Sequence, residues 1–132
     1  MKVTTTTLSL TVQDPAASAA FLVRHLGFTQ DMAADGFASL SRADAGAGVV
    51  FLRRGSETLP ADQRDVLATG LILAFTVEDL DVELTRLQGE GVTITMPMVV
   101  EEWGERAFQV RDPHGTVIQL VDWNGTPTRD AS

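Results

Sequence analysis

Leu10-Thr-Val-Gln-Asp14 returns as Phe75-Thr-Val-Glu-Asp79, sixty-five positions further along, and each copy leads into a helix-forming stretch. A supersecondary unit used twice implies that neither copy buries its sheet alone and that the halves share a core or a cleft. In the first copy, Leu8, Leu10 and Val12 alternate with Thr7, Ser9 and Thr11, which predicts a strand over Thr4–Val12 with one apolar and one polar side. Asp14-Pro15 then starts a helix: the carboxylate accepts from free N–H groups of the first turn, and proline at the first helical position loses nothing by lacking its own. The helix extends to Leu26, where Gly27 stops it. Phe28–Ala34, Phe37–Arg42 and Val49–Arg53 read as three shorter strands, punctuated by Asp35-Gly36 and the glycine-rich Asp44–Gly48.

The second copy repeats the order. A helix over Leu80–Gln88 carries Leu80, Leu84 and Leu87 on one stripe and ends at Gly89 and Gly91. Val92–Thr95, Arg106–Arg111 and Thr116–Asp122 are predicted as its strands, with Met96-Pro-Met98 and Glu101-Glu102 in a loop before Trp103. The last two strands form a hairpin around Asp112-Pro-His-Gly115, where proline presets φ and glycine is free to take positive φ. Residues 54–64 show neither periodicity and read as the connection. The fold class is therefore α+β, one domain of two tandem βαβββ modules spanning pseudo-repeats 1–60 and 68–124. Each first strand gives its apolar face to its helix. The opposite faces, Thr5/Thr7/Ser9/Thr11 and Ile72/Ala74/Thr76, are expected to turn toward a concavity between curved sheets.

Composition narrows the function classes. The 132 residues are 44% apolar and 21% charged, enough for a real core. There is no cysteine, so disulfides, thiolate metal sites and cysteine nucleophiles are excluded together. The net charge of −8 repels nucleic acid and anionic membranes and attracts small cations. No signal-peptide core or membrane span is visible, so a cytoplasmic location is expected. No serine lies in a nucleophile elbow, and the glycines form no phosphate cradle.

Val-x-Asp before a helix ending Leu26-Gly-Phe28, its echo at Val77-x-Asp79, and Trp103-Gly-x-Arg-x-Phe-x-x-x-Asp-Pro-x-Gly115 together resemble the glyoxalase/bleomycin-resistance/dioxygenase group, the vicinal oxygen chelate superfamily. The resemblance spans essentially the whole chain. In enzymes of that group it implies a divalent metal in the concavity, held by His, Glu or Gln at four symmetry-related strand positions. Carried over residue by residue, those positions are Thr7, Phe51, Ile72 and Gln119. Only Gln119 is a usable donor, whereas a catalytic divalent ion needs at least two or three converging oxygen or nitrogen ligands. His25, at a helix end, and His114, at a hairpin tip, map to none of the four.

Members without metal ligands include drug-sequestering proteins such as the bleomycin-binding proteins. Asp35-Gly-Phe37-Ala38 and the stretch from Pro97 through Trp103-Gly-x-Arg-x-Phe108 are similar to theirs. That likeness implies a homodimer whose ligand stacks on aromatic residues in a groove at the interface, with Trp103 and Phe37 as flat surfaces. The ligand-binding candidates are Phe37, Phe51, Trp103, Phe108, Gln119 and Glu102. Phe108 also alternates with Val110 as a core residue would, and Gln119 needs a hydrogen-bond partner: a ligand, water or Thr7 across the cleft. No metal, cofactor or catalytic residue is expected, and the expected partner is a small aromatic or cationic molecule, antibiotic-like, held by sequestration. The alternatives are an enzyme of the same fold with an unusual or absent metal site, and a regulatory module that binds a metabolite.

Overall fold

The computed structural model describes residues 1–126, and the chain divides into two compact units that meet between Gly70 and Leu71. In the first, β1 (Thr7–Val12) and α1 (Pro15–Leu26) precede β2 (Thr29–Ala34), β3 (Phe37–Ser41) and β4 (Gly48–Arg53). In the second, β5 (Ile72–Thr76) and α2 (Leu80–Gly89) precede β6 (Met96–Val100), β7 (Arg106–Arg111) and β8 (Val117–Asp122). Each unit forms a four-stranded mixed sheet, ordered β1-β4-β3-β2 and β5-β8-β7-β6. The first and last strands of each unit pair in parallel, and the remaining pairs are antiparallel hairpins.

The expected capping chemistry sets the helix bounds. Asp14 accepts from the Ala17 N–H at 3.2 Å, with Pro15 in the first helical position. Asp79 accepts from the Asp81 and Val82 N–H groups at 3.0 and 3.3 Å. Gly27 ends α1 in the left-handed region, φ 68°, and the Nη1 group of Arg42 donates to the freed Leu26 carbonyl. The left-handed backbone there favours glycine, and a Cβ at Gly27 would stand 2.7 Å from Nη1 at the flexible end of Arg42, which would have to move aside.

One face of each sheet is covered. In the first unit Leu10, Val12, Leu40, Val49 and Phe51 are buried together with Leu22 and Leu26 of α1. In the second, Leu73, Phe108, Val110, Ile118 and Leu120 are buried with Leu80 and Leu87 of α2.

Two strands differ from their sequence-based expectation. β1 is shorter, beginning at Thr7 rather than Thr4, because its parallel partner β4 begins at Gly48, which faces Thr7. The edge strand of the second unit is Met96–Val100, not Val92–Thr95. Proline is tolerated there because β6 pairs on one side only and its register shifts between Met96 and Val99, so the missing N–H of Pro97 breaks no ladder bond.

The polar centre of the second unit is Asp122, at the end of β8 and 1% exposed. One carboxylate oxygen accepts from the Leu80 N–H at 2.8 Å and from Arg106 Nη2 at 2.6 Å. The other accepts from Arg106 Nε at 2.8 Å and from the Asn124 N–H at 3.1 Å. Arg106 also reaches Asp81 at 3.0 Å. The arginine of the Trp-Gly-x-Arg motif is thus a bidentate clamp between two strands and the start of a helix. Its hydrogen bonds hold the Asp122 carboxyl well below the usual carboxylate range; burial opposes the shift, and the Leu80 and Asn124 N–H groups add to it.

Two outcomes follow from this packing. Phe51→Ala is expected to lower unfolding stability in urea by about 3–5 kcal/mol, and Val50→Ala, on the opposite face, by under about 1.5 kcal/mol; equal losses would contradict the strand register. Asp122→Asn leaves Arg106 facing a neutral group and is expected to cost roughly 3 kcal/mol at neutral pH. Because the folded carboxyl titrates below its unfolded value, its contribution is fully present above the unfolded pKa of about 4 and is lost as pH falls through the folded one. The stability gap between wild type and Asp122→Asn should therefore narrow on acidification below about pH 4, as read by denaturation at stepped pH.

Candidate functional site

The face of each sheet turned away from its helix is where a ligand can be met, and strand register decides what stands on it. In the first unit the cross-strand rows are Thr11, Leu52, Phe37 and Ala34, then Ser9, Val50, Ser39 and Met32, then Thr7 opposite Gly48. In the second they are Thr76, Val121, Ala107 and Val99, then Ala74, Gln119, Gln109 and Met96, then Ile72, Val117 and Arg111.

Phe37 and Gln119 lie on these open faces, each half-buried. Phe51 and Phe108 do not. Phe51 pairs with Leu10 and Phe108 with Leu120, both on the helix-covered side, and both rings are 0% exposed. Their candidacy as ligand-binding residues is corrected accordingly: a fully enclosed ring offers no surface to a ligand. For Phe51 the cause is parity. Ser9 faces Val50 in the first unit as Ala74 faces Gln119 in the second, so the counterpart of Gln119 is Val50, one residue from the position carried over in sequence. A shift of one residue turns a strand side chain to the other face.

The four ligand-equivalent positions are therefore Thr7, Val50, Ile72 and Gln119. Two are hydrocarbon, one is a hydroxyl and one a neutral amide, a donor set that does not suit a divalent ion. Among the described residues, no three His, Asp or Glu side chains are grouped as metal ligands would be. The metal implied by the fold thus finds no fitting set of residues.

Gln119 has its partner within its own sheet. Gln109 Nε2 donates to Gln119 Oε1 at 2.8 Å. Sequence reasoning missed Gln109, although the signal was present: counting back from the Asp112–Gly115 turn, 109 falls opposite 119 in the hairpin. That turn is rigid. Asp112 is buried, and one of its carboxylate oxygens accepts from the N–H groups of His114, Gly115 and Thr116 at 2.9–3.0 Å.

Trp103 sits at the tip of a tight turn. The Gly104 N–H donates to the Glu101 carbonyl at 3.0 Å, and the Glu101 N–H to the Glu105 carbonyl at 2.7 Å. Gly104, at φ 95°, in turn accepts from the Gly125 N–H at 3.0 Å, and a Cβ on Gly125 would lie 2.8 Å from the Gly104 oxygen. The backbone beneath the indole is therefore held in place, while Trp103 as a residue is 59% exposed and neighboured in sequence by Glu101, Glu102 and Glu105. Glu102 is exposed. No helix among the described residues is long and apolar enough to cross a membrane.

No curated protein sequence matches the chain. Among solved structures, it is similar to a glyoxalase/bleomycin resistance protein/dioxygenase from Nocardioides, at 21% identity and TM-score 0.72 over 100% of this chain and 91% of that one. It is similar to a lactoylglutathione lyase from Agrobacterium tumefaciens, at 15% identity and TM-score 0.73 over 92% and 94%. TioX from Micromonospora sp. ML1 gives 24% identity and TM-score 0.70 over 92% and 99%. At such identities these likenesses speak for the fold alone. The sequence profile of the superfamily itself matches residues 4–120. With its two βαβββ sheets and the profile match along nearly its whole length, the chain belongs to the glyoxalase/bleomycin resistance protein/dioxygenase superfamily.

Proposed function

We propose that this protein binds and sequesters a small aromatic or cationic molecule without a metal, acting as a homodimer in the manner of bleomycin-resistance proteins. The observation that carries the reading is the donor set at the four ligand-equivalent positions: Thr7, Val50, Ile72 and Gln119 lack the carboxylates and imidazoles that the metal-dependent chemistry of this fold requires. The exposed Trp103 supports it independently. An indole on a fixed turn stacks planar rings and attracts cations, and neighbouring carboxylates in a protein of net −8 add long-range pull. Phe37, on the open face of the first unit's sheet, is a further aromatic surface suited to stacking, and Glu102 is the nearest cation-attracting group to the indole in sequence.

Stacking on Trp103 contributes on the order of 1 kcal/mol and cation–π attraction a similar amount. Calorimetric titration with bleomycin-like, mitomycin-like and polyketide compounds is expected to find at least one binder. Trp103→Ala should weaken it about tenfold, and raising the salt concentration should weaken it further by screening the carboxylates. Unchanged affinity in Trp103→Ala would remove the indole from the site. Elemental analysis of the purified protein is expected to show no stoichiometric metal, and nickel, zinc or manganese should elicit no lyase or dioxygenase activity. A metal bound in a one-to-one ratio and lost in Gln119→Ala would overturn sequestration in favour of an enzyme.

A further inference from the structure

Gln109 and Gln119 face each other in the middle of the β7–β8 hairpin, joined by one hydrogen bond of 2.8 Å. A carboxamide offers two N–H donors and a carbonyl with two lone pairs. One bond between two such groups leaves an NH2 on one and a C=O on the other, and this holds whichever way the two amides are turned. Among the described residues, neither side chain makes a further hydrogen bond.

The single bond also sharpens what is left over. A donating amide becomes a better acceptor at its oxygen, and an accepting amide a better donor at its nitrogen, because hydrogen bonds in a chain polarise one another. Both side chains are half-buried, so water competes less well for these outer groups. Around them the same face carries small or apolar side chains: Ala74 beside Gln119 in the same row, Ala107 two residues before Gln109, and Val117 and Val121 on either side of Gln119. Ala74 and Ala107 add little bulk to that face beside the pair.

We propose that the Gln109–Gln119 pair reads a ligand edge that presents a hydrogen-bond donor next to an acceptor, as in a cis-amide, a lactam or a cyclic imide. The proposal rests on the reading of this chain as a small-molecule binder and adds the chemistry of the ligand's polar edge to the stacking assigned to Trp103. It also gives Gln119 a role other than metal binding, since a cation on its oxygen would have to displace or share the Gln109 N–H.

The test uses the isotope-labelled full chain and two fragments of the same shape, uracil and 1,3-dimethyluracil, the second lacking both N–H groups. At fragment concentrations up to about 20 mM, suited to ligands of this size, uracil is expected to shift the side-chain amide signals of Gln109 and Gln119 in a saturable way. Dimethyluracil should bind at least about tenfold more weakly, the equivalent of about one lost hydrogen bond. The double variant Gln109→Leu with Gln119→Leu should bind the two fragments equally. The double variant Gln109→Met with Gln119→Met, whose unbranched side chains keep roughly the length of glutamine but lack the amide acceptors and donors, reports the same loss of discrimination should the leucine pair fail to fold. Equal binding of both fragments by the wild type, or discrimination that survives in the variants, overturns the proposal. If discrimination is absent while Trp103-dependent binding persists, this inference alone falls. If both are absent, the binding reading falls with it.

Discussion

The second unit depends on one buried carboxylate. Asp122 takes five hydrogen bonds from three directions: the first residue of α2, the neighbouring strand through Arg106, and the chain just beyond β8 through the backbone and side chain of Asn124. A charge so enclosed is tolerable only with every acceptor site engaged. Its partners are thereby fixed relative to one another, and with them the register of the hairpin that carries Gln109 and Gln119. The first unit has the same topology but holds together differently. Arg53, paired with Val12, occupies the place of Asp122, and the polar closure comes instead from Asp14 at the start of α1 and Arg42 at its end. The repeat conserves strand order and apolar parity, while each copy has its own electrostatics.

Parity matters most for function. In a βαβββ unit the parallel pairing of first and last strands sets which residues of both strands share a face, and a helix covers one face only. Val50 rather than Phe51 therefore stands in the place of Gln119, and Phe51 joins Leu10, Leu22 and Leu40 in the core. The chemical conclusion survives the change, because valine binds a metal no better than phenylalanine. The candidate surface changes more: two of six proposed contact residues leave it, and Gln109 enters.

Much of this was legible in the chain. The repeat, the two Asp caps, the glycine stop after α1 and the hairpin turn are local signals, each set by a side chain's own hydrogen-bonding groups or by the conformational range of proline and glycine. They yielded both helices within a residue or two, and seven of the eight strands substantially in place. The exception, β6, contains Pro97, which as a local signal argues against a strand. Only its position at the sheet edge, with a register shift beside it, makes proline acceptable there.

What the sequence determined by itself was the architecture and the poverty of metal donors, because alternation, capping and residue identity need no knowledge of distant partners. What only the tertiary structure decided was which neighbour each polar or aromatic side chain meets. Arg106 finds Asp122 sixteen residues away and Asp81 twenty-five away, Gln119 finds Gln109 on the neighbouring strand, and Phe51 turns inward. Each outcome turns on strand register, and a displacement of one residue, invisible in composition and barely visible in pattern, exchanges the core of a sheet for its open face.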